Sequence, residues 1–143
     1  MALDFHSEDL FADPAPSACQ VARGLRNYLS GHAAEEAVAR DYLSRGYQIL
    51  ARRWRQAGGE IDLIVARGAD LAIVEVKSGY SHAAAAQHLT RSQIRRLVAA
   101  AERFLFGTWL PQLAPGARPE LRFDLALVDR VGRIDICEAA FFA

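Results

Sequence analysis

Residues 59–77 read Gly-Glu-Ile-Asp-Leu-Ile-Val-Ala-Arg-Gly-Ala-Asp-Leu-Ala-Ile-Val-Glu-Val-Lys, two β-strands joined by a short turn. Ile61, Leu63, Ile64 and Val65 fill one arm, and Leu71, Ile73, Val74 and Val76 the other. Between them Arg67-Gly68-Ala69-Asp70 has the polar, glycine-containing character of a hairpin loop. Apolar residues on both faces point to a strand pair covered on both sides, a costly place for an ionised group. Asp62, Glu75 and Lys77 are the exceptions that need an explanation.

Side chains alternate along a strand, so Glu75 and Lys77 share a face, roughly 7 Å apart along the chain. Closing the hairpin about residues 68 and 69 brings Asp62 opposite the region of 75 and 76, one small shift of register deciding its partner. Two carboxylates and one ammonium then converge on an otherwise apolar hairpin. Two carboxylates that close push one pKa up unless a cation stands between them. A hard divalent ion relieves that repulsion, and Mg²⁺ is held by one or two carboxylates, with water and substrate phosphate in the remaining positions. Lys77 would then face the outer sphere of the ion, placed to orient an attacking water or offset phosphate charge. Sixteen of the 17 basic residues are arginine and Lys77 is the one lysine, as expected where a compact ammonium is needed rather than a planar guanidinium.

Gly-Glu-Ile-Asp-Leu-Ile at 59–64 followed by Val-Glu-Val-Lys at 74–77 resembles the signature of the YraN-type family of uncharacterised bacterial proteins, which belongs by fold to the restriction-endonuclease-like, PD-(D/E)XK nuclease superfamily. The likeness covers roughly residues 30–130. It implies an α/β fold with a restriction-endonuclease-like core, a mixed central β-sheet flanked by helices. It also implies a nuclease with Mg²⁺ or Mn²⁺ held by Asp62 and Glu75 and helped by Glu35, since a glutamate on the first core helix often reaches the metal in that superfamily. Catalytic roles fall to Lys77, Glu35, Asp62 and Glu75. The chain departs from the family at Gly79, where relatives commonly carry arginine, near Trp54, where they usually carry asparagine, and at Gln93, where they tend to have lysine.

At 143 residues with near-average apolar content, the chain is long enough to bury one core without disulfides or a structural metal. Cys19 and Cys137 form no paired spacing with histidine. No apolar run approaches the roughly 20 residues of a membrane span, and no basic stretch followed by an apolar one opens the chain, so a cytoplasmic address and no membrane partner are expected. The net charge is zero but unevenly spread. Residues 1–20 hold Asp4, Glu8, Asp9 and Asp13 without lysine or arginine, and the rest carries 17 basic against 13 acidic residues. A mildly basic body is compatible with phosphate binding.

Residues 1–17 are expected to be a flexible acidic N-terminal tail and residues 18–143 a single nuclease-like domain. Helical spacing of Val21, Leu25, Tyr28 and Leu29 predicts a short helix over 18–29. A second helix is expected to start at Ser30 or Gly31 and to stop at Gly46. Glu35 shares its face with Val38, Ala39 and Tyr42 and looks inward, whereas Glu36 sits four residues before Arg40 in the orientation of a surface pair. The first strand is expected over 47–54, with Ile49 facing one way and Leu50 and Trp54 the other. Arg52, Arg53 and Arg55 at its end suit either a nucleic-acid surface or a charged sheet edge.

Residues 78–88 read as a loop with some helical character, in which His82 and His88 have no partner spacing. Thr90-Arg91-Ser92-Gln93 matches a capping box opening a helix to 106, with Ile94, Leu97, Val98, Ala101 and Leu105 as its apolar stripe. Arg91, Arg95, Arg96 and Arg103 line the other side, and Arg91 and Arg95 join the candidate nucleic-acid contacts. Residues 107–120, with three prolines, are expected to be a mobile connector. A closing hairpin follows, 121–128 and 133–139, in which Asp124 and Asp135 are not expected to bind metal.

Three readings fit these residues. The first is a metal-dependent nuclease cutting phosphodiester bonds in DNA or RNA, structured or branched substrates included. The second is a non-catalytic nucleic-acid-binding module of the same fold, and the third a structural domain in which Glu75 and Lys77 merely pair. Resolvase-like members of the superfamily act as dimers, so the resemblance leaves a homodimer open.

Overall fold

The computed structural model describes residues 17–56 and 58–141. Apart from Ser17, the tail expected at 1–17 lies outside the described residues. The chain divides into two units at Ser30/Gly31. The described part of the first, from Ala18 on, is helical, and the second contains everything that follows.

Helix α1 spans Ala18–Ser44. The two helices expected on either side of residue 30 are therefore one. Ser30 and Gly31 lack the ring clash and missing N–H by which proline stops a helix, and glycine inside a helix costs only about 1 kcal/mol against alanine. The helix ends where expected: Gly46 takes φ +87° and the Tyr47 N–H reaches back to the Tyr42 carbonyl at 3.1 Å, an arrangement a β-carbon would strain.

Strands β1 (Gln48–Gln56), β2 (Gly59–Arg67) and β3 (Asp70–Ser78) form an antiparallel meander. The short helix α2 (His82–Ala86), capped by Ser81, leads to helix α3 (Arg91–Phe104). The Thr90 hydroxyl accepts from the Gln93 backbone N–H and the Gln93 side-chain Oε1 accepts from the Thr90 N–H, so the capping box is present as read. Strand β4 (Leu121–Val128) adds parallel to β3, and β5 (Ile134–Phe141) closes a five-stranded mixed sheet in the order β1-β2-β3-β4-β5.

The segment expected to be a mobile connector is partly built. A π-helical turn (Leu105–Trp109) and a 3-10 turn (Leu110–Gln112) extend α3, and buried Trp109 donates its indole N–H to the Ala69 carbonyl at 2.8 Å. A large apolar ring with one donor is an anchor once that donor is met.

Each face of the sheet has its own core. Val38, Ala39 and Tyr42 of α1 pack on Leu63, Val65, Ala72, Val74 and Ala126. Leu97, Ala101 and Phe104 of α3 pack on Ile61, Ile64, Ile73 and Phe123 on the opposite face. Asp124, fully buried under α1, is saturated: its carboxylate accepts from the Tyr42 hydroxyl at 2.7 Å, from Arg122 Nε and Nη2 at 2.7 and 2.8 Å, and from the Ala139 N–H at 3.1 Å. Those bonds satisfy a charge that burial would otherwise make very costly. This is an α/β domain with a mixed central sheet between helices, compatible with a restriction-endonuclease-like core.

The sheet forks at Asp62. The last β2–β3 ladder pair is Leu63 with Val74, while β1–β2 pairing continues through Trp54 with Ile61 to Gln56 with Gly59. Leu63 faces α1 and Ile61 faces α3, although two residues apart on a regular strand would share a face. Strand β2 therefore reverses its sidedness at Asp62. Across from that point Arg53 takes φ +48°, a conformation uncommon for a residue with a β-carbon. A further irregularity in β1 lies between Ile49 and Ala51: Ile49 packs on the α1 side, whereas Leu50 and Ala51, adjacent in the chain, both pack on the α3 side.

Candidate active site

The fork places Asp62 between diverging strands. Its Oδ2 accepts a hydrogen bond from the Val76 N–H at 2.9 Å, so a side chain takes the place of the missing β2 ladder partner. Glu75 and Lys77 extend the β3 row of Leu71 and Ile73, and Glu75 is buried. Lys77 Nζ stands 3.2 Å from Glu75 Oε2. Burial, a hydrogen bond shared with Glu75 and the Glu75 charge push the Asp62 carboxyl up to about 8, against the smaller opposing effects of the Val76 N–H and Lys77. Desolvation and a like charge are the two causes expected to raise a carboxyl pKa, and such groups cluster at functional sites.

A cleft of about 760 Å³ opens on this cluster, within the range of small-ligand sites. Its walls include Glu35 from α1, Arg55, Gln56 and Glu60 from the β1–β2 ribbon, and Gln93, Arg96 and Leu97 from α3. All four carboxylate and lysine positions singled out in the sequence, Glu35, Asp62, Glu75 and Lys77, thus line one cleft. Glu35 reaches it as its helical face foretold, and its Oε1 accepts from Arg53 Nε at 2.8 Å. Gln93 is committed to the helix cap as well as lining the wall.

Among the described residues no three His, Cys, Asp or Glu side chains stand close enough to hold a metal ion by themselves. The Asp62–Glu75 pair fits a hard divalent cation on its own terms, because two oxygen donors close enough to hold one carboxyl protonated are what such a cation would unite, with water completing its shell.

The arginines divide into two sets. Arg52 pairs with Glu36, Arg53 with Glu35 and Arg55 with Glu60. Glu36 was expected to pair with Arg40 one turn along; the end of β1 lies closer and supplies Arg52 instead. Arg91, Arg95 and Arg96 of α3 are exposed and have no ion-pair partner among the described residues. Of the arginines along the polar side of α3, Arg96 is the one that lines the cleft, and its helical spacing from Gln93 is the signal in the sequence. Gly59 was also missed: a β-carbon there would stand 2.9 Å from Ala100 Cβ and 3.2 Å from the Arg96 carbonyl, so its lack of a side chain lets the ribbon approach α3. His82 Nε2 lies 2.9 Å from the Arg133 carbonyl oxygen and His88 is exposed. A β-carbon at Gly79 would meet the Ala85 N at 2.8 Å, so α2 occupies the space that an arginine at this position would need.

A mixed α/β domain with two carboxylates and a lysine in a cleft at a sheet fork is the class that fold and site define. Residues 34–128 match the family described as Uncharacterised protein family UPF0102. A UPF0102 protein of Ruegeria pomeroyi is 50% identical over 119 residues, covering 83% of this chain and 93% of the relative. Another from Cereibacter sphaeroides is 50% identical over 120 residues, covering 84% and 98%, and one from Roseobacter denitrificans is 39% identical over 121 residues, covering 85% and 90%. The chain belongs to the UPF0102 family, the YraN-type family that its double motif resembles. Among the described residues no helix is long and apolar enough to cross a membrane.

Proposed function

We propose that the protein is a Mg²⁺- or Mn²⁺-dependent nuclease that hydrolyses phosphodiester bonds in DNA or RNA. The observation that carries this reading is the meeting of Asp62, Glu75 and Lys77 in one cleft whose wall also holds Arg96. Asp62 and Glu75 would hold the ion, with Glu35 at the wall. When bound, the ion would supply Lewis acidity toward phosphate oxygens and toward the attacking water. Glu75 fixes the Lys77 ammonium, and a lysine has three N–H donors. Those not spent on Glu75 are available to hold a water oxygen in line with phosphorus or to bear charge on the phosphate oxygen. Water attack then makes one P–O bond as the ester P–O bond breaks; the attacking water releases one proton to solvent and the leaving oxygen takes one from solvent, so the step balances. Arg96, Arg95 and Arg91 form a run of cations on α3 suited to successive phosphates, contacts that position a strand without reading its sequence. The β1 arginines are already neutralised by glutamates, so the α3 side is the stronger candidate path.

Cleavage of labelled linear DNA, branched DNA and structured RNA with Mn²⁺ or Mg²⁺ tests the proposal, comparing wild type with Lys77→Ala and Asp62→Asn after their folds are checked by circular dichroism. Cutting by wild type that both variants lose is the expected result. A second reading, a non-catalytic binding module, draws support from the Arg53–Glu35 pair, which engages a Glu35 oxygen that a metal would otherwise use. It predicts salt-sensitive binding that survives Lys77→Ala, with no cutting by any form.

A further inference from the structure

Beyond Lys77 the chain continues Ser78-Gly79-Tyr80, and among the described residues Tyr80 is one of the few large apolar side chains left in solvent, 72% exposed. It is not loose. The Gly79 N–H donates to the Val128 carbonyl at 3.1 Å and the Arg130 N–H to the Tyr80 carbonyl at 3.4 Å, tying this segment to the β4–β5 turn. That turn is itself fixed by the Asp129 carboxylate, which accepts from the Val131 and Arg133 N–H groups at 3.0 and 2.8 Å. The Arg130 guanidinium lies over the Tyr80 ring, 4.7 Å from its centroid. One face of the ring therefore carries a cation, and the exposure of the side chain leaves the other to solvent.

The platform stands at the reacting end of the sheet. Lys77 pairs with Leu127 and Ser78 with Val128, so the C-terminal ends of β3 and β4 bring Lys77, Tyr80 and Arg130 to one edge. Three peptide units place the Tyr80 Cα within about 11 Å of the Lys77 Cα, a span of one or two nucleotides. A ring with an open face and a cation behind it is what a nucleobase stacks on, and in a continuous duplex both faces of a base are already covered by its neighbours. Peptide-binding surfaces use exposed tyrosine too, but a peptide would not need the cation on the back of the ring or the neighbourhood of a phosphate-directed lysine.

We propose that Tyr80, backed by Arg130, stacks an unpaired nucleobase one or two nucleotides from the bond held in the Lys77 cleft, and so selects single-stranded nucleic acid or single-stranded segments over continuous duplex. This rests on the nuclease reading for its location but not on cleavage for its test. The experiment titrates the full-length chain, in EDTA, into a single-stranded oligodeoxythymidine carrying one 2-aminopurine, and into the same oligonucleotide annealed as a duplex. Wild type should quench the 2-aminopurine of the single strand and bind it more tightly than duplex. Tyr80→Ala should weaken single-strand binding on the order of 5- to 150-fold, the worth of one stacked base, with the salt dependence of binding unchanged. Tyr80→Phe should restore quenching and affinity, and Tyr80→Leu should not.

Equal single-strand affinity in wild type and Tyr80→Ala would overturn the platform while leaving the nuclease reading intact. Loss of cleavage in every form with Tyr80-dependent quenching retained would overturn catalysis and support the platform. No binding of either oligonucleotide by wild type would overturn the platform, while the nuclease reading stands or falls on the cleavage panel with Mn²⁺ or Mg²⁺.

Discussion

Replacing Asp62 by asparagine separates the electrostatics of the fork from its geometry. Asparagine keeps an oxygen for the Val76 N–H and an N–H₂ group for Glu75, as the protonated acid would, but it cannot ionise. In the native protein Asp62 is held at about 8 instead of its ordinary 3.8. Between those values the folded chain keeps a proton that the unfolded chain has released, so stability is greatest below the ordinary value and falls as pH rises toward 8, by up to about 1.4 kcal/mol per pH unit. From pH 5 to pH 7 that amounts to about 2–3 kcal/mol as an upper limit, because Asp62 lines a cleft that water enters and the proton belongs to the Asp62–Glu75 pair as a unit.

For a domain of this length the change corresponds to roughly 5–10 °C in melting temperature. The assay is urea or thermal unfolding in EDTA at pH 5, 6, 7 and 8, on wild type and Asp62→Asn side by side, so that every other titrating group cancels in the difference. The variant should gain on wild type steadily as pH rises. A difference that stays constant over this range would refute the shared-proton account of the pair.

Added Mn²⁺ should raise the melting temperature of wild type more at pH 8 than at pH 6, since a proton must leave Asp62 first. At a hundredfold excess over the dissociation constant the gain is about 2.7 kcal/mol, and Asp62→Asn with Glu75→Gln should abolish it; equal stabilisation of the double variant would remove the ion from this cleft. Asp124→Ala should cost about 3–5 kcal/mol in urea unfolding, because it leaves the Tyr42 hydroxyl and the Ala139 N–H without their acceptor and the Arg122 guanidinium with only the more distant Glu138 as a carboxylate partner, and a loss under 1 kcal/mol would contradict that. Gly31→Ala should stabilise by about 0.5–1 kcal/mol, since its β-carbon meets nothing within 4 Å, whereas Gly79→Ala, aimed at the α2 backbone, should cost about 1–3 kcal/mol in the same measurement.

The hairpin at 59–77, the capped helix α3 and the closing hairpin were legible because each rests on local signals: alternation, a turn, a Thr-x-x-Gln box. The meeting of Glu35, Asp62, Glu75 and Lys77 in one cleft was legible for the same reason, since face counts on a helix and a strand suffice to bring them near. The fork was not. It depends on reversed sidedness at Asp62 and on Arg53 at positive φ, and an arginine carries no sign that its backbone will take a glycine-like conformation. The partners of Arg52, Arg53 and Arg55 were equally hidden, because composition gives the charges while the packing of α1 and the β1–β2 register decide which carboxylates meet them. Ser30-Gly31 misled in the other direction, reading as a helix start where the helix simply continues. Trp109, inside a proline-rich stretch, gave no local hint that Ala69 would hold it.

The bond between Asp62 and the Val76 N–H joins two limbs of one sheet, the β1–β2 ribbon and the β3–β4–β5 slab. The atom that would greet a cation is thus also a rivet between structural halves. A cation seated there would draw electron density from that rivet and so couple occupancy to the gap between the limbs. Such loading would be felt through the framework, and hydrogen exchange at the Val76 amide is where it would be read.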